Sequence, residues 1–487
     1  MGPLTSNIRN FLSHHRIAIF LSIFSFLLFN YFKLDFMNEW DSICYIGDIH
    51  LHSRSWLGLG RSGFVYSFIP VWELCRILFK IPVLERYHVV ILANLVFSSL
   101  IISFVYVITK RITRNKLIAL AGSIILIFSK DLILLAGNTF SEPMMILMIL
   151  LSYLYYLTAI EKKSLSCFYL SAFIFGFAFE IKEAALLSIL FFPAILLTSR
   201  GAGYFKFKNH LLFFLIFLLV GFIMPVYFYL KEGPSYIKHV LDVASISKFN
   251  LTNWPQVCSI MRHGFGILLF PLAGLILLLL RKRFATLLII FTLLTPNIIF
   301  SIFGTRDNRY FVFGYIAFSI LTAYCLFYAV QYATLVLKAP YKYASIYFII
   351  LLTALLSFNL TCFYRPLMAD NEYSKHLKNY GLQLLTSFPE NTVFILGESS
   401  AVMGRYYLPL TSSNKKIIWS GAEWPHRELN KMVTQYLSQG KRIIIDMDGF
   451  QGRWQYEKPD VIKLMSLYKC KDIGNHLIEL TNESPAR

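Results

Sequence analysis

Long, almost uncharged apolar stretches return again and again between Ile17 and Phe363, most of them close to the ~20 residues that a helix needs to cross the hydrocarbon core of a bilayer. A water-soluble core cannot hide so much grease. Of the 487 residues 56% are apolar and only 15% charged, so lipid is read as the solvent. The stretches are continuous runs and not period-two alternations, which selects helices over a barrel. About eleven spans are predicted, near 17–32, 89–109, 117–130, 143–160, 165–180, 184–199, 210–230, 264–280, 284–303, 311–336 and 344–363. The fold class expected is an α-helical polytopic membrane protein with a small C-terminal α/β domain.

The charges sort by loop. A formal net charge of +19 raises nucleic acid as a partner, but the excess lies in short clusters between apolar runs, which is a topology signal and not a binding stripe. With the N-terminus cytoplasmic, alternate loops carry Lys110, Arg111, Arg114 and Lys116, then Lys162 and Lys163, Arg200, Lys206 and Lys208, Arg281, Lys282 and Arg283, and Lys338 and Lys342. Loops on the other side mix signs, as Asp35, Glu39, Asp41 and Asp48 do beside Arg54 and Arg61. The run Ile17–Phe32 lacks a small-residue cleavage site and is read as a retained first span. The seven cysteines are scattered without paired spacing, so no disulfide framework or zinc site is legible.

Two further segments depart from the spanning pattern. Phe64–Phe79 is apolar but interrupted by Pro70, Glu73 and Arg76, and reads as an amphipathic helix at the interface. Past Tyr364 the apolar runs shorten. Strand-like runs Thr392–Leu396, Lys416–Trp419 and Arg442–Ile445 alternate with helical stretches around Ser400–Tyr407, His426–Gln439 and Pro459–Tyr468. The chain is therefore divided into a transmembrane domain, 1–365, and an extracytoplasmic α/β domain, 366–487.

Four polar features fall at the extracytoplasmic face. Glu39 and Asp41 follow the first span; a carboxylate there serves either as a general base or metal ligand, or as the cap of a helix over 42–49. Glu142 stands in Ser141-Glu142-Pro143, where Ser141 or Glu142 is placed to cap a helix opened by Pro143. Glu180-Ile181-Lys182-Glu183 is a charged hairpin between two apolar spans. Ionisable groups at membrane depth are costly and read as functional; the plainer account has Glu180 and Glu183 neutralising Lys182. Arg306 and Arg309 share one short loop and present forked donors suited to a phosphate, or pair locally with Asp307. His50 and His52 have a spacing that places both on one strand face, a weak metal signal.

In this order the features resemble those of the membrane-embedded GT-C glycosyltransferases, the superfamily that includes protein O-mannosyltransferases, lipid A aminoarabinose transferases and the mannosyltransferases of glycolipid anchor synthesis. The resemblance covers roughly residues 15–330 and draws its specificity from the series of motifs. It implies that Asp41 is the first-loop catalytic acid, although Ser42 departs from the usual Asp-Glu and makes Glu39 a substitute. It implies that Glu142 is the acid of the Ser-Glu-Pro turn, that Lys182 is the lysine of a Thr-Lys-Glu turn in which Ile181 replaces threonine, and that Arg309-Tyr310 is the Arg-Tyr pair opening a late helix. A His-Pro-Pro element usual near Ser62–Trp72 is missing. Asp48, His52 and Glu183 complete the candidate set.

By that resemblance the donor is a polyprenyl- or dolichyl-phosphate sugar and the acceptor a glycan, lipid or protein hydroxyl. Asp41 would deprotonate the acceptor for an inverting displacement, with Glu142 orienting the acceptor or a divalent ion. Lys182, Arg306 and Arg309 would stabilise the departing phosphate. Whether magnesium or manganese is held by Asp41 and Glu142 is left open by the residues. The location implied is a prokaryotic plasma membrane, or an endoplasmic reticulum membrane in a eukaryote. A rival, a transporter or flippase of lipid-linked sugars, predicts internal repeats or paired broken spans with buried charges.

Overall fold

The computed structural model describes residues 3–37, 40–53, 61–199, 202–245, 254–302, 308–336, 338, 340, 344–397, 415–419, 429–447 and 458–481. The chain begins with helices α1 (Pro3–Phe32), α2 (Trp40–Leu51), α3 (Ser62–Ile77), α4 (Tyr87–Thr113), α5 (Lys116–Ile127), α6 (Lys130–Ala136), α7 (Glu142–Lys162), α8 (Leu165–Ile181) and α9 (Phe191–Thr198). It continues through α10 (Phe207–Gly221), α11 (Ile223–Glu232), α12 (Pro234–Ser245), α13 (Trp254–Phe265), α14 (Leu269–Leu280), α15 (Phe284–Ile302), α16 (Val312–Val336) and α17 (Ala344–Thr386). Three-residue-per-turn helix occupies Glu183–Ser188 and Asn308–Phe311.

All the predicted stretches fall on helical segments, but they are not equal. Among the described residues six helices are long and apolar enough to cross a membrane, in α1, α4, α7, α15, α16 and α17. Three further candidates are bent pairs: α5 with α6 at 67°, α10 with α11 at 46°, and α13 with α14 at 96°. The last bend turns at Gly266, whose φ of +116° is closed to other residues. Broken pairs differ from the sequence expectation of uninterrupted spans, because composition reports how apolar a stretch is and not where its backbone turns. The segment α8 and the pieces between Glu183 and Thr198 are shorter apolar helices.

The chain divides into two compact units. The first comprises residues 1–33, 52–71 and 88–369. In it α7 packs on α8, α8 on α10, and both α5 and α14 on α16. Small residues permit these close approaches, as is usual where lipid supplies no drive for burial. A Cβ at Gly176 of α8 would lie 2.9 Å from the Phe217 carbonyl of α10, and one at Gly122 of α5 would lie 3.5 Å from Ile320 of α16. Aromatic rings fill the space between α7, α8, α9 and α10: Tyr156, Phe168, Phe192 and Phe213 meet at centroid separations of 4.9–5.9 Å.

The second unit comprises residues 34–51, 72–87 and 370–487. It holds strands β1 (Thr392–Leu396), β2 (Lys416–Trp419), β3 (Arg442–Asp446), β4 (Lys469–Asp472) and β5 (Leu477–Thr481), with helices α18 (Leu429–Ser438) and α19 (Lys458–Met465). The sheet order is β2-β1-β3-β5-β4, parallel across β2, β1 and β3 and antiparallel at β5 and β4. Val393, Ile395, Ile443 and Ile445 pack under Leu429, Val433, Val461 and Leu464 of the two helices. Phe394, Leu396 and Ile444 face Tyr380 and Phe388 on the other side. Burial on both faces explains why β1 and β3 are continuous apolar runs. Strands β4 and β5 were not foreseen; Lys469–Asp472 is exposed throughout and carries no apolar run. The predicted helix over Ser400–Tyr407 lies outside the described residues. The segment after α1 belongs to this unit: Phe36 N–H donates to Ser374 Oγ at 2.6 Å and Ser374 Oγ donates back to the Phe36 carbonyl at 2.6 Å.

Candidate functional site

Glu142, Lys182 and Arg309 come together in the first unit. Glu142 opens α7, with Pro143 in its first turn. Ser141 makes no side-chain capping bond, and the Glu142 carboxylate turns away from the helix end to the Lys182 ammonium, which donates to Oε1. Capping is thus not what this carboxylate does. Arg309 Nε lies 3.6 Å from the same oxygen, while Oε2 has no hydrogen-bond partner among the described residues. Glu142 and Lys182 are 2% and 1% exposed, so the pair is taken wholly out of water.

Each member is held by its element. Lys182 ends α8 in an extended conformation, with φ −162° and ψ 129°, which swings its side chain out of the helical path. The turn that follows is fixed from α7, where Tyr153 donates to the Ser188 carbonyl at 2.6 Å while stacking on Phe191 at 3.6 Å. The loop entering α7 is pinned by Asn94 of α4, which donates to the carbonyls of Asn138 and Phe140 at 2.7 and 2.8 Å. Lys182 lies over the Tyr310 ring at 4.5 Å, and Arg309 lies 5.0 Å from the Phe140 ring and 5.3 Å from that of Tyr310. Faces of aromatic rings stabilise desolvated cations.

The Glu180–Glu183 hairpin is resolved against mutual neutralisation. Lys182 is paired with Glu142, not with its sequence neighbours. Glu180, 3% exposed, accepts the Met224 N–H at 2.8 Å and so caps α11 at its break from α10. Glu183 pairs with Arg61 at 3.5 Å, and Arg61 also donates to the Tyr310 hydroxyl at 3.4 Å. A Cβ at Gly63 would lie 2.5 Å from the Glu180 carbonyl, so α3 starts directly against the turn that carries Lys182. Around these groups a shallow recess of about 330 Å³, counting the space it shares with its surroundings, is lined by Glu142, Lys182, Ser188, Pro296, Phe300 and Tyr310 among others.

The remaining candidates lie elsewhere. Asp41 and Asp48 belong to the second unit, in α2, seven residues apart and thus on one side of the helix. His50 is also in α2, with its ring 6.1 Å from that of Trp72, and exposed His52 follows the helix at φ 52°. The strand reading of the two histidines is therefore corrected to a helix end. Glu39 and Arg306 lie outside the described residues. No group of three or more metal-ligating side chains exists among the described residues, and Glu142 already faces two cations, an arrangement that does not fit a divalent ion. Arg61 was missed because a lone arginine in a mixed loop carries no signal. Asn297, 4% exposed within α15, was also missed, although a polar residue inside an apolar run is itself a signal.

Apolar helices long enough to span, arranged about a buried carboxylate and cations, make this an integral membrane protein, and its fold is similar to those of an archaeal oligosaccharyltransferase and of ArnT. Residues 71–229, which carry Glu142 and Lys182, match the family model described as dolichyl-phosphate-mannose-protein mannosyltransferase. The oligosaccharyltransferase of Archaeoglobus fulgidus in its apo form is similar with a TM-score of 0.60 and 11% identity, over 94% of this chain and 73% of that one. ArnT of Cupriavidus metallidurans bound to undecaprenyl phosphate is similar with a TM-score of 0.60 and 11% identity, over 98% of this chain and 100% of that one. The Archaeoglobus fulgidus enzyme AglB, in complex with an inhibitory peptide and a dolichol-phosphate, gives 0.53 and 10% over 93% and 72%. No curated protein matches the chain by sequence.

Proposed function

We propose that the protein transfers a sugar from a polyprenyl- or dolichyl-phosphate carrier to an acceptor hydroxyl on the extracytoplasmic face, with inversion at the anomeric carbon. The observation that carries the reading is the buried Glu142–Lys182–Arg309 cluster. Two cations are held out of water against one carboxylate oxygen, a costly arrangement that an incoming phosphate anion would repay. The likeness to ArnT and AglB, whose structures were solved with undecaprenyl phosphate and a dolichol-phosphate, supports the same carrier class here.

In the proposed reaction the acceptor oxygen attacks the anomeric carbon, its proton passes to Asp41, and the bond from that carbon to the phosphate oxygen breaks. The carrier leaves as a phosphate monoester, its new charge met by Lys182 and Arg309, with Arg61 adding a third cation. Electrostatic stabilisation of developing charge is the largest contribution expected at such a site. The cytoplasmic N-terminus, the domain division at 365/366 and the prokaryotic plasma membrane belong to the same reading. A transporter of lipid-linked sugars is the second reading, and the three bent helix pairs favour it.

A transfer assay on purified protein, with a panel of polyprenyl-phosphate sugars and candidate acceptors, decides between them. Loss of labelled sugar from the lipid to an acceptor, abolished in Asp41→Asn, supports the enzyme. Movement of intact lipid-linked sugar between leaflets without transfer supports the transporter.

A further inference from the structure

Helix α16 follows directly on the three-residue-per-turn helix over Asn308–Phe311. The first N–H groups of a helix need acceptors, ordinarily a Ser, Thr, Asp or Asn side chain just before the first turn. Immediately before the first turn of α16 stand Arg309, Tyr310 and Phe311, two of which face the recess. One of the first N–H groups finds its acceptor on another helix. Asn297 of α15 accepts the Gly314 N–H on Oδ1 at 3.1 Å and donates through Nδ2 to the Phe311 carbonyl at 3.0 Å. The two bonds fix the orientation of the amide, since oxygen must meet the N–H and nitrogen the carbonyl. Both are buried, and Phe311 is fully enclosed.

The fit is close on every side. A Cβ on Gly314 would run into the Asn297 amide, so glycine there leaves room for the bond. Ser301 Oγ donates to the Asn297 carbonyl at 2.6 Å. The neighbour of Asn297, Pro296, lines the recess together with Phe300, whose ring lies 4.8 Å from that of Tyr310. Asn297 thus ties the backbone directly after the Arg309-Tyr310 pair to α15, beside Phe300 on the Tyr310 ring.

We infer that Asn297 is a positioning residue for donor phosphate binding: as a cap supplied from α15, it holds the turn that presents Arg309 and Tyr310 to the phosphate. The inference rests on the proposed carrier-phosphate role of Arg309. It predicts that Asn297 matters only while Arg309 is there to be positioned.

The test is a binding titration of undecaprenyl phosphate to the full-length protein in nanodiscs, on a double-mutant cycle of Asn297→Ala and Arg309→Ala, with thermal unfolding of each variant as the folding control. Asn297→Ala is expected to weaken binding about tenfold, and to change it less than twofold in the Arg309→Ala background. The isosteric Asn297→Asp, which keeps the acceptor for Gly314 and loses the donor for Phe311, is expected to weaken binding about threefold. Equal losses from Asn297→Ala in both backgrounds would show a purely structural residue and overturn the inference. Binding within twofold of wild type in both Asn297 variants would overturn it as well. If wild-type protein does not bind, or Arg309→Ala binds as wild type does, the phosphate role of Arg309 fails and takes the inference with it.

Discussion

Lys182 is a lysine with almost no water, and among the described residues it is Glu142 that meets its charge at hydrogen-bond range. Removing one member of such a pair strands the other, which costs about 3–5 kcal/mol in buried pairs. Lys182→Met is therefore expected to lower the unfolding midpoint of the detergent-solubilised protein markedly, and adding Glu142→Gln to restore most of it. A midpoint unmoved by Lys182→Met would mean that the pair is hydrated. Asp41, half-buried in the first turn of α2, is a separate matter. Asp41→Asn should leave undecaprenyl phosphate binding unchanged and abolish transfer, whereas retained turnover would move the base to Glu39.

Elements carry the site through their ends. The break between α10 and α11 is stabilised by Glu180, two residues before Lys182, so loosening that cap releases the turn. Glu180→Ala is expected to weaken undecaprenyl phosphate binding severalfold, and Glu180→Gln, which keeps an acceptor for the Met224 N–H, to spare it. Equal binding in both variants would argue that the break needs no cap. Far from the site, Asn115 caps α5 by accepting from the N–H groups of Leu117 and Ile118 at 2.9 and 3.2 Å. Asn115→Ala should cost about 1 kcal/mol of stability without changing donor binding, as thermal unfolding and a titration would show. That contrast separates general weakening from damage to the grip.

At the scale of the molecule, the loop charges predict one orientation. In a variant free of native cysteines, Ser438→Cys of α18 should react with a membrane-impermeant thiol reagent applied from outside intact cells, and Lys282→Cys only after permeabilisation. The reverse pattern would invert the whole topology. The sequence also made the helical segments, three of the strands and the Glu142, Lys182 and Arg309 positions legible, because hydropathy, strand runs and intramembrane charge are local signals. Which charges pair was not local. Lys182 bypasses Glu180 and Glu183 beside it and reaches Glu142, forty residues away, because the extended backbone at the end of α8 turns it inward.

Apolar length and the sign of loop charges, both properties of the chain alone, determined that this protein lives in a bilayer and which residues face its polar edges, since transfer free energy adds up along a sequence. The tertiary structure decided the rest. Backbone bends at Gly266 and Phe222 turn apolar stretches into broken pairs, Gly63 lets α3 meet the Lys182 turn, and Asn297 reaches across from α15 to cap α16. Each depends on two segments meeting within a few ångströms, and no one-dimensional pattern records such a meeting.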